Sequence, residues 1–170
     1  MPVRSGPPAA APPRSGVQAA LDARRNPETV IIARSDATAV TGLDDAIRRS
    51  RMYADAGADV IFIDARTSED DLAAIAAGGI DAALMVNVSE HGKTPDLGAQ
   101  RFQELGFGLV IYPSSTLFAA AQSTKDLAAQ LKADGSTVAS VPRMMPFDEI
   151  NGILGKDEWD SIEDTLRGVE

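Results

Sequence analysis

The sequence predicts an α/β chain of four strand–helix units, about half the number that a closed eightfold barrel needs. Three observations carry this. Short β-branched apolar runs alternate with stretches of helical periodicity. A glycine closes each helix ahead of the next strand. Arg34, Asp64, Asn87 and Pro113 end the four runs at separations of 30, 23 and 26 residues, each close to one βα unit.

The elements follow in order. Residues 1–16 hold five prolines and no aromatic residue, which predicts a disordered tail. The apolar core of a secretory signal is missing, and the expected location is the cytoplasm. Residues 17–25 read as a short helix stopped at Asn26-Pro27. The Val30–Ala33 run is the heart of the first strand. A helix begins near Thr41, carries Leu43, Ala46, Ile47 and Ala54 on its apolar face with Arg48, Arg49 and Arg51 toward solvent, and stops at Gly57. Asp59–Asp64 is the second strand. Ser68 caps the next helix, with Asp71 completing an acidic variant of a capping box. Ala82–Val88 and Leu109–Tyr112 are the third and fourth strands. Between them Pro95 suits the first turn of a helix that ends at Gly106. Ser114 and Ser115 open a long helix that stops at Gly135.

The predicted organisation is a tail over 1–16, a four-unit body over 17–142 and a helical extension over 143–170. Phe147, Ile150 and Leu154 form one apolar stripe of the extension; Trp159, Ile162 and Leu166 form another. Both need a face to bury, and a second subunit would supply it, so a homo-oligomer is expected. Parallel strands joined by helices imply a sheet covered on both faces, in an open doubly wound sheet or in a barrel. No glycine-rich phosphate loop of either common type follows a strand.

Composition narrows the function. The net charge is −9, which disfavours nucleic acid and anionic membrane surfaces as partners. No apolar stretch approaches the length of a membrane span. Without cysteine there are no disulfides, thiolate metal sites or thiol nucleophiles, and one histidine excludes a multi-histidine metal site.

Functional groups of parallel α/β proteins gather at the C-terminal ends of strands. That selects Arg34, Ser35 and Asp36; Asp64 and Arg66; Asn87, Ser89, Glu90 and His91; and Tyr112, Ser114 and Ser115. Arg34 either grips a carboxylate or phosphate or neutralises Asp36 or Asp64. Asp64 is a general base, a metal's outer partner or half of a salt bridge to Arg34. Asn87 donates to a substrate oxygen or satisfies a turn.

The segments VIIARSDA, GLDDAIRRSRMYADAGADVIFIDA, LMVNVSEHGKTPDL and ELGFGLVIYPSS together resemble the isocitrate lyase/phosphoenolpyruvate mutase superfamily, in particular its 2-methylisocitrate lyase-like members. The resemblance covers residues 17–135 and implies the second half of a (βα)8 TIM-type barrel. It implies Mg²⁺-dependent C–C bond lyase chemistry on small 2-hydroxy or 2-keto di- and tricarboxylates. By the same resemblance Arg34, Asn87, Thr94 and Pro113 bind substrate. Asn87, Glu90, Gly92, Thr94 and Pro95 match an NxxExGxTP motif. Asp64, a possible catalytic residue, stands where many members carry a glutamate. The acids that bind Mg²⁺ in the family belong to the first four units and have no counterpart here, so this chain is expected to contribute no metal ligand and to be incomplete as an enzyme. The competing expectation is a non-catalytic half-barrel or assembly subunit, and a third is a ligand-binding module using Arg34 and Asn87.

Overall fold

The computed structural model describes residues 14–64 and 68–168. The predicted tail lies almost wholly outside them, as does Arg66. Two compact units are present, Met1–Thr116 and Leu117–Glu170.

The first unit opens with α1 (Arg14–Ala23) and continues through β1 (Ile32–Ser35), α2 (Thr38–Thr41), α3 (Leu43–Asp55), β2 (Val60–Ile63), α4 (Glu69–Ala76), β3 (Ala83–Asn87), α5 (Ala99–Leu105) and β4 (Leu109–Ile111). The four strands form one parallel sheet in the order β1-β2-β3-β4. Ala33 pairs with Ile61 and Ile61 with Leu84; Arg34 pairs with Phe62, Phe62 with Met85 and Met85 with Leu109.

This register separates two faces, because alternate strand residues point to opposite sides. Ala33, Ile61, Ile63, Leu84 and Val86 face the helices and pack with Ala46 and Ile47 of α3, Leu72 and Ile75 of α4 and Phe102 of α5. Phe102 is fully buried and meets Phe107 edge to face at 6.2 Å. The other face carries Val60, Phe62 and Met85, with Ile111 beside them and no helical residue in the cluster. The expected cover on both faces is therefore corrected: among the described residues the three connecting helices pack on one face only. A right-handed crossover places each helix on the same side when strands follow one another in sequential order, which is the winding of a barrel wall and not of a doubly wound sheet.

The helix ends follow local chemistry. Gly57 and Gly106 take φ values of 105° and 106°, so the chain turns out of α3 and α5 where a side chain would be strained. The Ser68 side chain accepts from the Asp71 N–H at 3.1 Å, and the Asp71 carboxylate accepts from the Ser68 N–H at 2.9 Å, forming the expected capping box. Two expectations shift. The first strand starts two residues later than the apolar run and ends with Arg34 and Ser35. Pro95 does not open a helix: α5 begins at Ala99, after Asp96 accepts from the Gly98 N–H at 3.0 Å in a local turn.

α6 (Ser115–Asp134) runs from the end of the first unit into the second, which also holds a 3₁₀ segment (Val138–Arg143), α7 (Phe147–Ile153) and α8 (Lys156–Arg167). Ser140 is buried and its hydroxyl donates to Gln130. The two apolar stripes fall on α7, α8 and the turn between them as predicted, and they are exposed, Phe147 at 77% and Leu166 at 82%.

Candidate functional site

β1, β2 and β3 deliver their C-terminal residues to one end of the sheet. Arg34 is the penultimate residue of β1, on the face away from the helices, and its guanidinium lies 5.4 Å from the centroid of the Phe62 ring. Its Nε donates to Asp36 Oδ1 at 2.7 Å, and its Nη2 donates to Asp64 Oδ2. Asp64 follows β2 directly and is held there by its own N–H, which donates to the Ser35 carbonyl at 3.0 Å. The hydrogen bond to Asp36 is the largest influence and raises the Arg34 pKa above its ordinary value; burial opposes it, and the charges of Asp64 and Asp36 add to the rise. The guanidinium is a permanent cation clamped between two carboxylates.

Asn87 closes β3. Its Oδ1 is buried and has no hydrogen-bond partner, as is Thr38 Oγ1 at the start of α2. Buried acceptors of this kind are costly unless a ligand or water completes them. Glu90 Oε1 accepts from the Ser115 hydroxyl, while Glu90 Oε2 is buried without a partner. Tyr112 donates its phenolic proton to Asp96 at 3.3 Å, and its pKa is raised by burial and then by the Asp96 charge. His91 adopts a left-handed backbone with φ of 61°.

These elements surround a cavity of about 810 Å³, lined by Asp36, Thr38, Ala39, Asp64, Asn87, Ser89, Gly92, Lys93 and Thr94. The structure thus brings Asp64, Asn87 and Thr94 together. Arg34 is not itself a lining residue but binds two that are. Pro113 is exposed beyond β4 and does not line the cavity. Sequence reasoning assigned no role to Thr38 or Lys93. Lys93 sits inside the Asn87–Pro95 motif, which is the only signal that could have found it. Thr38 carries none, because its approach depends on the turn from β1 into α2.

Comparison with known proteins decides the family. The family model described as phosphoenolpyruvate phosphomutase matches residues 11–132. This chain belongs to that family, within the isocitrate lyase/phosphoenolpyruvate mutase superfamily. Over 147 residues it is 34% identical to 2,3-dimethylmalate lyase of Eubacterium barkeri, covering 86% of this chain and 50% of that protein. It is 35% identical over 140 residues to 2-methylisocitrate lyase of Bacillus subtilis, covering 82% and 46%. A crystal structure of 2,3-dimethylmalate lyase superposes with a TM-score of 0.77 at 28% identity, over 90% of this chain and 54% of that one. A phosphonopyruvate hydrolase complexed with oxalate and Mg²⁺ superposes equally well at 27% identity, over 88% and 53%. The chain spans about half the length of the relatives it matches, and the matched structures are TIM-barrel-type enzymes, so the fold is the half-barrel that the sequence predicts.

Among the described residues no group of three or more histidine, aspartate or glutamate side chains could hold a metal ion. The two carboxylates nearest the cavity, Asp36 and Asp64, are both engaged by Arg34. Octahedral oxygen coordination does not fit this wall. Among the described residues no helix is long and apolar enough to cross a membrane.

Proposed function

We propose that this chain supplies the substrate-gripping wall of a C–C bond lyase acting on small 2-hydroxy or 2-keto di- and tricarboxylates, of the 2-methylisocitrate lyase type. The observation that carries the reading is the convergence of the Arg34–Asp36–Asp64 cluster, the unpartnered Asn87 Oδ1 and Thr94 around one cavity. Arg34 is suited to a bidentate grip on a substrate carboxylate, which would displace one of its aspartate partners. Asn87 Oδ1 is an acceptor suited to a 2-hydroxyl group. Asp64, once released from Arg34, is positioned to accept a proton from that hydroxyl. Pro113 would act only by shaping the turn after β4. Mg²⁺ would supply the electrophilic half of the chemistry in this reading, and no cluster of described residues on this wall holds it. The working enzyme is a homo-oligomer.

The test is turnover of a panel of 2-hydroxy and 2-keto acids with Mg²⁺, read as release of pyruvate or glyoxylate, alongside calorimetry with oxalate. Arg34→Ala is expected to lower turnover or affinity by about 10-fold, the roughly 1.5 kcal/mol lower end for losing a hydrogen bond between charged groups. A wild-type chain that neither turns over the panel nor binds oxalate at millimolar concentration refutes the reading. Binding without turnover favours the alternative, a non-catalytic half-barrel.

A further inference from the structure

Among the described residues β1 and β4 each pair on one side only. The carbonyls of Ile31 and Ser35 accept from the β2 side, at Asp59, Val60 and Asp64. Backbone groups alternate along a strand, so the N–H and C=O of Ile32 and Arg34 point away from β2. Ile32 is 46% exposed and Leu109, on β4 and the same face of the sheet, is 37% exposed. Unpaired edges with apolar neighbours are sites of strand addition.

We propose that a second copy of this chain closes the sheet into an eight-stranded barrel, with β4 of each copy paired to β1 of the other. Three features select a copy over other occupants. The four strands are half of the eight that closure requires, and the chain superposes on 54% of a 2,3-dimethylmalate lyase chain of the TIM-barrel type with a TM-score of 0.77, as a stretch of barrel wall does. A twofold axis along the barrel brings a β4 edge against a β1 edge twice, and both new pairs are parallel, like every pair within the sheet. One copy therefore satisfies both edges and covers the face that holds Val60, Phe62 and Met85. All eight strands then point the same way, so the partner's Arg34, Asp64 and Asn87 reach the same mouth. The site would be shared between copies. The inference concerns assembly and does not depend on which reaction the site performs.

Sedimentation of the full chain at about 50 μM, well above the weak end of specific association, is expected to give twice its 17.8 kDa mass. Ile32→Pro removes an N–H that no strand of the same copy uses and is expected to yield a monomer with an unchanged far-UV spectrum. Hydrogen exchange on the wild type gives a reading free of folding defects: the Ile32 and Arg34 amides are expected to be protected. A monomeric wild type overturns the proposal. So does a folded Ile32→Pro protein that stays dimeric, because association then runs through other surfaces. Rapid exchange at Ile32 and Arg34 in a dimeric wild type overturns it as well, even where Ile32→Pro fails to fold.

Discussion

Neutralising Asp64 should strengthen carboxylate binding. Arg34 is occupied in the absence of ligand, so an anion entering the cavity competes with Asp36 and Asp64 for one guanidinium. Side-chain exposure is 54% for Arg34 and 37% for Asp64, which places their ion pair in the solvent-screened class. Such pairs contribute roughly 0.2–1 kcal/mol. Asp64→Asn keeps the shape and removes the charge, so that energy is returned to the incoming ligand. The expected gain in affinity is about 1.4- to 5-fold. Titration calorimetry of oxalate in metal-free buffer measures it, and the gain should shrink with added salt. Equal or weaker binding by Asp64→Asn would refute the reasoning, because Asp64 would then be helping the ligand and not competing with it.

Two predictions concern the frame that holds the site. Phe102→Ala empties a fully buried position between the sheet and α5 and should cost about 3–5 kcal/mol, read as a fall in the urea midpoint with little change in slope. Asp45 on α3 accepts from Thr41 at 2.7 Å and from Arg49 at 2.6 Å, and also from Arg48, and these bonds hold its carboxyl well below its ordinary value near 3.8. A depressed folded-state pKa contributes stability above pH about 4 that is lost as pH falls through the folded value. Asp45→Asn should therefore melt below wild type at pH 7, and the two curves should converge in stronger acid.

The four strands were legible because each is a compact apolar run bounded by turn chemistry. The edges of those runs were less so. β1 is displaced toward Arg34 because the Ile31 N–H is taken by the Asp59 carboxylate at 2.7 Å, while pairing with Phe62 and Ile63 draws Arg34 and Ser35 into the ladder. An apolarity count cannot see a partner strand 28 residues away. Arg34 and Asp64 were recognisable by position, and their direct ion pair was one of the two alternatives the spacing left open. Lys93 and Thr38 were not recognisable as lining residues, since their approach to Asn87 follows from loop geometry that periodicity does not encode. The single-faced placement of the helices was hidden for the same reason: β2 is buried along its whole length, and its sequence does not say whether helices or strands cover each side.

The sequential strand order bears on how the chain acquires its structure. Each strand pairs only with those immediately before and after it, so no pairing waits for a distant segment. Loop-closure cost stays that of one βα unit at every step. A chain emerging from its N-terminal end can lay β2 on β1, then β3 on β2, as beads are added to a string. Until β4 arrives, the growing edge is always the newest strand, and Asn87 has no Ile111 beside it. The cavity is thus assembled in the order in which its walls are translated, and its last wall is the loop that carries Lys93 and Thr94.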